Sequence, residues 1–174
     1  HELGALLLTT ETNVRYFTGF LTRFWESPTR PWYLIIPQSG KPIAVIPSIG
    51  EALMSKTWVE DIRTWPSPDL TDDGINLLSE TLNEVAKKNR VGIPSGAETH
   101  VRIPRNDLIK LSQSVNLSHD FEIVKNLRMI KSKEEIIKIE KACMIAKEAF
   151  SRVPEIASEN IRLDEVFRRF QVLC

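Results

Sequence analysis

Short apolar runs, separated by polar segments and turn residues, dominate the longer, amino-terminal part of the sequence. Runs of this length, bounded by Gly, Pro, Asn or Ser, are typical of buried strands. Predicted strands therefore lie at 5–10, 32–36, 42–46, 61–65, 90–93 and 115–118. The turn residues 38–41 join the second and third runs, which predicts a β-hairpin.

The apolar strand positions also predict the core. Successive side chains of a strand point to opposite faces of the sheet, so helices on both faces would bury consecutive residues. In that arrangement Leu7 and Ile35 are buried together with their neighbours along the strand. The other residues that we expect in the core are Leu6, Leu8, Leu34, Ile36, Ile43, Val45 and Val91.

Apolar residues at helical spacing alternate with these strands. The clearest helix begins after Asp72 and Asp73, whose carboxylates can accept hydrogen bonds from its free N–H groups. Its apolar face is formed by Ile75, Leu78, Leu82, Val85 and Ala86. Shorter helices are predicted at 13–19, 51–58 and 105–114. This alternation predicts an α/β fold, a three-layer α/β/α arrangement around a mixed, mostly parallel sheet that contains the hairpin.

The pattern changes after residue 122, and helices replace strands. Ser132 and Glu135 form a predicted capping box for a helix that Pro154 ends or kinks. A second amphipathic helix is predicted at 161–173, and its inward residues are Leu163, Val166, Phe167 and Phe170. We therefore divide the chain into an α/β domain at 1–122 and helices at 123–174. The apolar stripe reaches Cys174 without a capping signal, so we expect the chain to be part of a longer protein.

Charge and cysteine usage exclude several classes of protein. The formal net charge is zero, with 23 basic and 23 acidic residues, which argues against nucleic-acid binding and against docking on anionic membranes. No apolar run approaches the roughly 20 residues of a transmembrane helix, and we see no signal peptide. Cys143 and Cys174 do not form a disulfide framework, so we expect a reducing, cytoplasmic location.

A search for catalytic chemistry finds no residue set that could run a reaction. His100 and His119 lie on different loops, without the cysteine or carboxylate spacing of a metal site. Motifs of serine hydrolases, phosphate-binding loops and zinc peptidases do not occur. Cys143 lies on an apolar helical stripe, which is typical of a structural thiol. The sequence therefore predicts no catalytic residue, metal ligand or cofactor in this chain.

One loop, at 20–32, combines aromatic residues, arginines and prolines between two predicted strands. One interpretation is that its aromatic side chains cover the edge of the sheet. The other is a recognition loop, since Trp and Arg are enriched at binding hot spots. In that case Trp25, with Arg23 or Arg30, contacts a ligand, because an Arg fork suits a carboxylate and an aromatic wall suits proline.

Two motifs resemble a known family. The segment TNVRYFTGF at 12–20 resembles the N-x-x-Y-[LFY]-[TS]-G-[FWY] signature of the N-terminal domain of creatinases, prolidases and aminopeptidases P. The segment VKNLRMIKSKEEIIKIEKA at 124–142 resembles the start of that family's second, pita-bread domain. One α/β domain separates the two motifs, so the resemblance covers nearly the whole chain.

The resemblance implies a dimeric, two-domain protein. In the family's peptidases the pita-bread domain holds two divalent metal ions through two Asp, one His and two Glu, and those ligands would lie beyond Cys174. In creatinases an aromatic–x–Arg element contacts the substrate of the neighbouring subunit. Trp25 takes the aromatic place here, but Ser27 stands where the Arg would be. Arg23 or Arg30 would substitute for it, and creatine as the substrate is in doubt.

We therefore expect a non-catalytic N-terminal domain of a metal-dependent Xaa-Pro peptidase or creatinase-like hydrolase, followed by the first helices of its pita-bread domain. Its role would be to form a homodimer and to wall the partner's active site, where a peptide with proline, or a related small substrate, binds. The alternative is a non-catalytic peptide- or histone-binding module of the same fold. A third interpretation is an unrelated α/β binding domain.

Overall fold

The computed structural model describes residues 2–27 and 30–174, and within it the chain divides into two units, 1–126 and 127–174. His1, Pro28 and Thr29 lie outside the described residues. The division between the units lies inside the helix Ile123–Met129. The boundary drawn from the sequence, after residue 122, lies at the start of that helix.

A mixed sheet forms the centre of the first unit. Its strands are β1 (Leu3–Leu8), β2 (Tyr33–Pro37), β3 (Ile43–Pro47), β4 (Asp61–Trp65), β5 (Arg90–Ile93) and β6 (Leu117–His119). Their order is β4-β3-β2-β1-β5-β6. β2 runs antiparallel to β1 and β3, and the other neighbouring pairs are parallel. The start of β2 therefore lies at the same edge as the carboxyl ends of the other strands.

Helices cover both faces of this sheet, which confirms the predicted three-layer α/β fold. They are α1 (Glu11–Thr18), α2 (Glu51–Met54), α3 (Ile75–Ala86), α4 (Arg105–Ser114) and α5 (Ile123–Met129). Two 3₁₀ helices, Arg23–Glu26 and Ser48–Gly50, complete the unit. α2 is shorter than predicted because the Thr57 hydroxyl donates to the Met54 carbonyl (2.7 Å) and accepts from the Val59 N–H (3.2 Å), which ends the helix.

The core has two sides, as the alternation along each strand requires. Leu7 and Ile35 belong to a cluster with α3 and α4, whereas Leu8 and Leu34 belong to a cluster with α1, α2 and α5. The predicted core residues Leu7, Leu8, Leu34, Ile35, Ile43, Val45 and Val91 are buried. Leu6 and Ile36, however, are half-buried. They lie opposite each other in the β1–β2 register and pack against the second cluster without being enclosed by it.

The two aspartates before α3 have different roles. Asp72 Oδ1 accepts hydrogen bonds from the N–H groups of Ile75 (3.1 Å) and Asn76 (3.2 Å), as predicted for a helix start. Asp73 Oδ1 instead accepts from Trp65 Nε1 (2.8 Å) and from the Ser67 hydroxyl (3.0 Å). The predicted role at the start of the helix was therefore wrong for Asp73. Its carboxylate instead ties the end of β4 to the loop before α3.

Gly74, between Asp73 and α3, tolerates no side chain. Its φ is 88°, and an added Cβ would lie 2.5 Å from the Trp65 ring. We expect Gly74→Ala to lower the free energy of unfolding by about 1–3 kcal/mol through backbone strain and overpacking. Gly40→Ala is the control, because Gly40 has a φ of 102° but open space around it. Equal losses in urea denaturation would show that the contact with Trp65 has no effect.

The second unit is helical, with α6 (Lys133–Ser151), α7 (Val153–Ile156) and α8 (Leu163–Leu173). The predicted capping box is confirmed: Ser132 Oγ accepts from the Glu135 N–H (3.2 Å), and Glu135 Oε2 accepts from the Ser132 N–H (2.8 Å). The rings of Phe150 and Phe170 meet at 4.9 Å.

The inward orientation predicted for the apolar stripes of these helices was wrong for several residues. Leu163, Phe167 and Cys143 are exposed. The reason is that the unit 127–174 has few residues, so most side chains of α6, α7 and α8 stay at its surface. Among the described residues, no helix combines the length and the hydropathy needed to cross a bilayer.

Candidate functional site

The segment that follows α1 forms a fixed turn at the carboxyl edge of the sheet. Gly19 ends α1 with a φ of 75°, and its N–H donates to the Arg15 carbonyl (2.8 Å). The Thr18 hydroxyl donates to the Val14 carbonyl (2.7 Å) and accepts from the Phe20 N–H (2.9 Å). The Thr-Gly-aromatic part of the sequence motif therefore sets the direction in which the chain enters the loop.

A cluster of aromatic rings anchors this loop. Trp32, just before β2, is fully buried, and its ring centroid lies 5.5 Å from that of Phe20 and 5.9 Å from that of Trp25. Phe24 stacks on Trp32 at 6.2 Å and is 39% exposed. Trp25 itself is only 8% exposed. Its ring is therefore part of the second core cluster, while the Phe24 ring forms the outer surface.

Arg102 links this turn to the sheet. It lies in the loop between β5 and α4, and its backbone N–H donates to the Thr9 hydroxyl at the end of β1 (2.9 Å). Its Nη2 donates to the carbonyl of Trp25 (3.1 Å) and to the carbonyl of Ser27. The guanidinium carbon lies 5.1 Å from the centroid of the Trp25 ring. One side chain thus contacts the indole and two carbonyls of the turn.

Several donors in this cluster are buried without an acceptor. Within 2–27 and 30–174, no hydrogen-bond partner is found for Nε1 of Trp25, Nε1 of Trp32 or Nη1 of Arg102. Burial lowers the pKa of Arg102, and Glu11 and Tyr33 act in the opposite direction. Burial, followed by the charge of Asp107, raises the pKa of the Tyr33 hydroxyl well above its usual range, but Tyr33 belongs to the first core cluster. The three donors of the aromatic cluster without a partner are therefore enclosed within the part of the chain that the structure describes.

The predicted ligand-contacting residues do not all come together. Arg23 is exposed at the start of the 3₁₀ helix. Arg30 stacks on Phe24, with its guanidinium carbon 5.9 Å from the ring centroid. Arg102, which sequence reasoning missed, is the arginine stacked on Trp25. The loop residues Pro28 and Thr29 lie outside the described part.

A sequence signal for Arg102 exists but is weak. Val101 and Ile103 are partly buried against the first core cluster. In an extended segment the residue between them points to the opposite side. The alternation therefore indicates an Arg directed away from that cluster, yet nothing in the sequence says that Trp25 lies there, 77 residues away.

The described residues do not supply a metal site. Across them, no group of three or more His, Cys, Asp or Glu side chains could hold a metal ion. His119 instead packs on Phe121 with ring centroids 4.0 Å apart. The aromatic cluster brings the exposed ring of Phe24 to the surface, and such a ring face suits apolar rings and cations.

Comparison with known proteins places this geometry in context. The sequence profile of the family described as the creatinase/prolidase N-terminal domain matches residues 1–130. The chain is 26% identical over 177 residues to an uncharacterized peptidase of Staphylococcus aureus strain MSSA476, and the match covers 98% of this chain and 45% of that protein. An uncharacterized peptidase of Staphylococcus epidermidis strain RP62A is 24% identical over 179 residues, with the same shares covered. The chain thus spans less than half the length of these curated relatives.

Solved structures share the fold. A recombinant prolidase from Thermococcus sibiricus gives a TM-score of 0.77 at 22% identity, covering 99% of this chain and 45% of that chain. The prolidase from Pyrococcus horikoshii OT3 gives 0.71 at 21% identity, covering 98% and 44%. Identities this low establish similarity of fold alone.

Proposed function

The chain belongs to the creatinase/prolidase N-terminal domain family, as its two motifs indicated, and we propose that it is the non-catalytic N-terminal part of a metal-dependent Xaa-Pro peptidase or creatinase-like hydrolase. The family match over residues 1–130 carries this proposal. The relatives described as peptidases and prolidases support it. In the proposal, the two divalent metal ions and the catalytic residues belong to the rest of the whole protein, and the described residues of this chain offer no metal site.

We assign the chain a role in substrate binding across a homodimer. The loop that contains Trp25, Arg23 and Arg30 would wall the active site of the partner subunit and contact the proline ring and carboxylate of a peptide. Two observations support this assignment. The turn lies at the carboxyl edge of a mostly parallel sheet, where α/β proteins bind ligands. The exposed ring of Phe24 also stacks with the half-buried Arg30. A cytoplasmic location is part of the proposal.

Replacing Trp25 in the whole protein tests this role. Because Trp25 is buried, Phe is the suitable substitution, since it keeps most of the packing and removes the indole N–H. We expect Trp25→Phe to lower kcat/KM for an Xaa-Pro dipeptide about ten-fold, equivalent to about 1.4 kcal/mol of transition-state binding. Steady-state kinetics and a thermal melt on the same preparation measure both quantities.

Trp65→Phe is the matched control, because Trp65 is also a buried tryptophan but belongs to the first core cluster and not to the aromatic cluster of the loop. It should lower the melting temperature and leave kcat/KM of the folded protein unchanged. Equal kinetic effects of the two substitutions would mean that Trp25 only covers the sheet, and the proposed substrate contact would be rejected.

A further inference from the structure

Arg102 is half-buried beside the Trp25 ring. Its guanidinium is partly removed from water, and this burial lowers its pKa. Its Nη2 donates to backbone carbonyls rather than to a carboxylate. Its Nη1 is buried without an acceptor in the described part of the chain. A half-buried cation that donates to carbonyls and not to a carboxylate adds little to stability, so the geometry of its contacts is the feature to explain.

The contacts of Arg102 orient the Trp25 ring and the turn around it. The carbonyls of Trp25 and Ser27 flank Glu26, and one guanidinium nitrogen donates to both of them. The same guanidinium stacks on the Trp25 ring, 5.1 Å from its centroid. The backbone of Arg102 is in turn tied to Thr9 at the end of β1 (2.9 Å). The arginine therefore fixes both the indole plane and the direction in which the chain leaves the 3₁₀ helix.

An arginine is specifically suited to this task. The planar guanidinium can donate in its plane while its face stacks on an aromatic ring, and an ammonium group cannot do both. Ser27, the position that would hold an Arg in the creatinase pattern, is here an acceptor for Arg102. The loop is thus held by an arginine from a different part of the chain.

We propose that Arg102 is a positioning residue for substrate binding: it holds the Trp25 ring in the orientation that contacts the substrate of the partner subunit. The proposal rests on the proposed function of Trp25. Arg102 itself acts through the loop and does not touch the substrate. Loss of this orientation weakens substrate contacts in the ground state and the transition state alike, which raises KM and leaves kcat nearly unchanged.

The test uses Arg102→Met and Arg102→Lys in the whole protein, assayed with an Xaa-Pro dipeptide. For Arg102→Met we expect KM to rise about ten-fold with kcat within about two-fold of the parent value. We expect its melting temperature to change by less than about 4 °C, because the lost hydrogen bonds are offset by the lost desolvation cost. Arg102→Lys keeps the charge without the planar fork, and it should recover no more than part of the affinity.

Arg90→Met is the matched control, because Arg90 also stacks on an aromatic ring, with its guanidinium carbon 5.5 Å from the centroid of Phe121, away from the loop. It should leave KM unchanged. In the double variant with Trp25→Phe, the two effects on kcat/KM should not add, since both substitutions remove the same contact.

The outcomes separate this inference from the proposed function. If Trp25→Phe impairs kcat/KM while Arg102→Met changes only the melting temperature, the positioning role is wrong and the proposed function stands. Full recovery of KM by Arg102→Lys would also overturn the inference, because charge alone would then suffice. If Trp25→Phe has no kinetic effect, the proposed substrate contact fails, and the positioning role fails with it.

Discussion

Leu34→Ala is expected to lower the free energy of unfolding by about 2–5 kcal/mol, the range for deleting a buried leucine side chain. Leu34 is fully buried. It lies opposite Leu8 on β1 and Ala44 on β3, so β2 carries it into the middle of the second core cluster. The strands on either side are held by their own hydrogen bonds, and they cannot close the cavity completely. Urea denaturation followed by tryptophan fluorescence measures the loss.

Leu70→Ala is the control for this substitution. Leu70 is fully exposed, in the loop between β4 and α3, and the same change of side chain there should alter stability by less than about 0.5 kcal/mol. A denaturation midpoint of Leu34→Ala that equals the midpoint of the parent chain would contradict the two-sided core. A midpoint lowered equally by both substitutions would show an effect of leucine loss that does not depend on burial.

The second large effect concerns activity. The 174-residue chain alone is expected to hydrolyse no Xaa-Pro peptide in the presence of Mn²⁺, Co²⁺ or Zn²⁺. Metal-dependent hydrolysis needs an ion that lowers the pKa of bound water and a fixed set of ligands to hold it. No such set occurs among the residues that the structure describes. Release of proline, measured with a panel of dipeptides and longer peptides, checks this expectation.

The whole protein under identical conditions is the positive control, and it should cleave at least one of these peptides. Turnover by the 174-residue chain that a chelator abolishes would contradict the assignment of catalysis to the rest of the protein. A whole protein that binds peptides and cleaves none of them would instead favour the alternative, a non-catalytic binding module of the same fold.

The secondary structure was accessible from the sequence because its signals are local. The helix Arg105–Ser114 has the predicted bounds, and the capping box at Ser132 and Glu135 forms as predicted. Apolar runs bounded by turn residues identified the strands, since a run that must be buried on both faces allows few other structures. The hairpin followed from the short connection between β2 and β3. The alternation of strands and helices, together with the hairpin, then indicated a layered fold around a mixed sheet.

The sequence predicted only part of the candidate site. Trp25, Arg23 and Arg30 stood out because an aromatic, Arg-rich loop is unusual in composition. The burial of Trp25, however, depends on Trp32 and on the sheet beneath it. An isolated loop sequence does not reveal whether a tryptophan is presented to a ligand or packed into a core, because both need the same side chain.

By itself, the sequence determined the α/β class, the strands and helices, and the family, because each depends on residues close together or on a contiguous motif. Tertiary structure alone decided that Asp73 binds the Trp65 indole, that Leu6 and Ile36 stay half-buried, and that Arg102 stacks on Trp25. These contacts join segments that only the folded sheet brings together. A hydrogen bond or a stacked ring acts over a few ångströms, so its partner is determined by distance in space and not by separation along the chain.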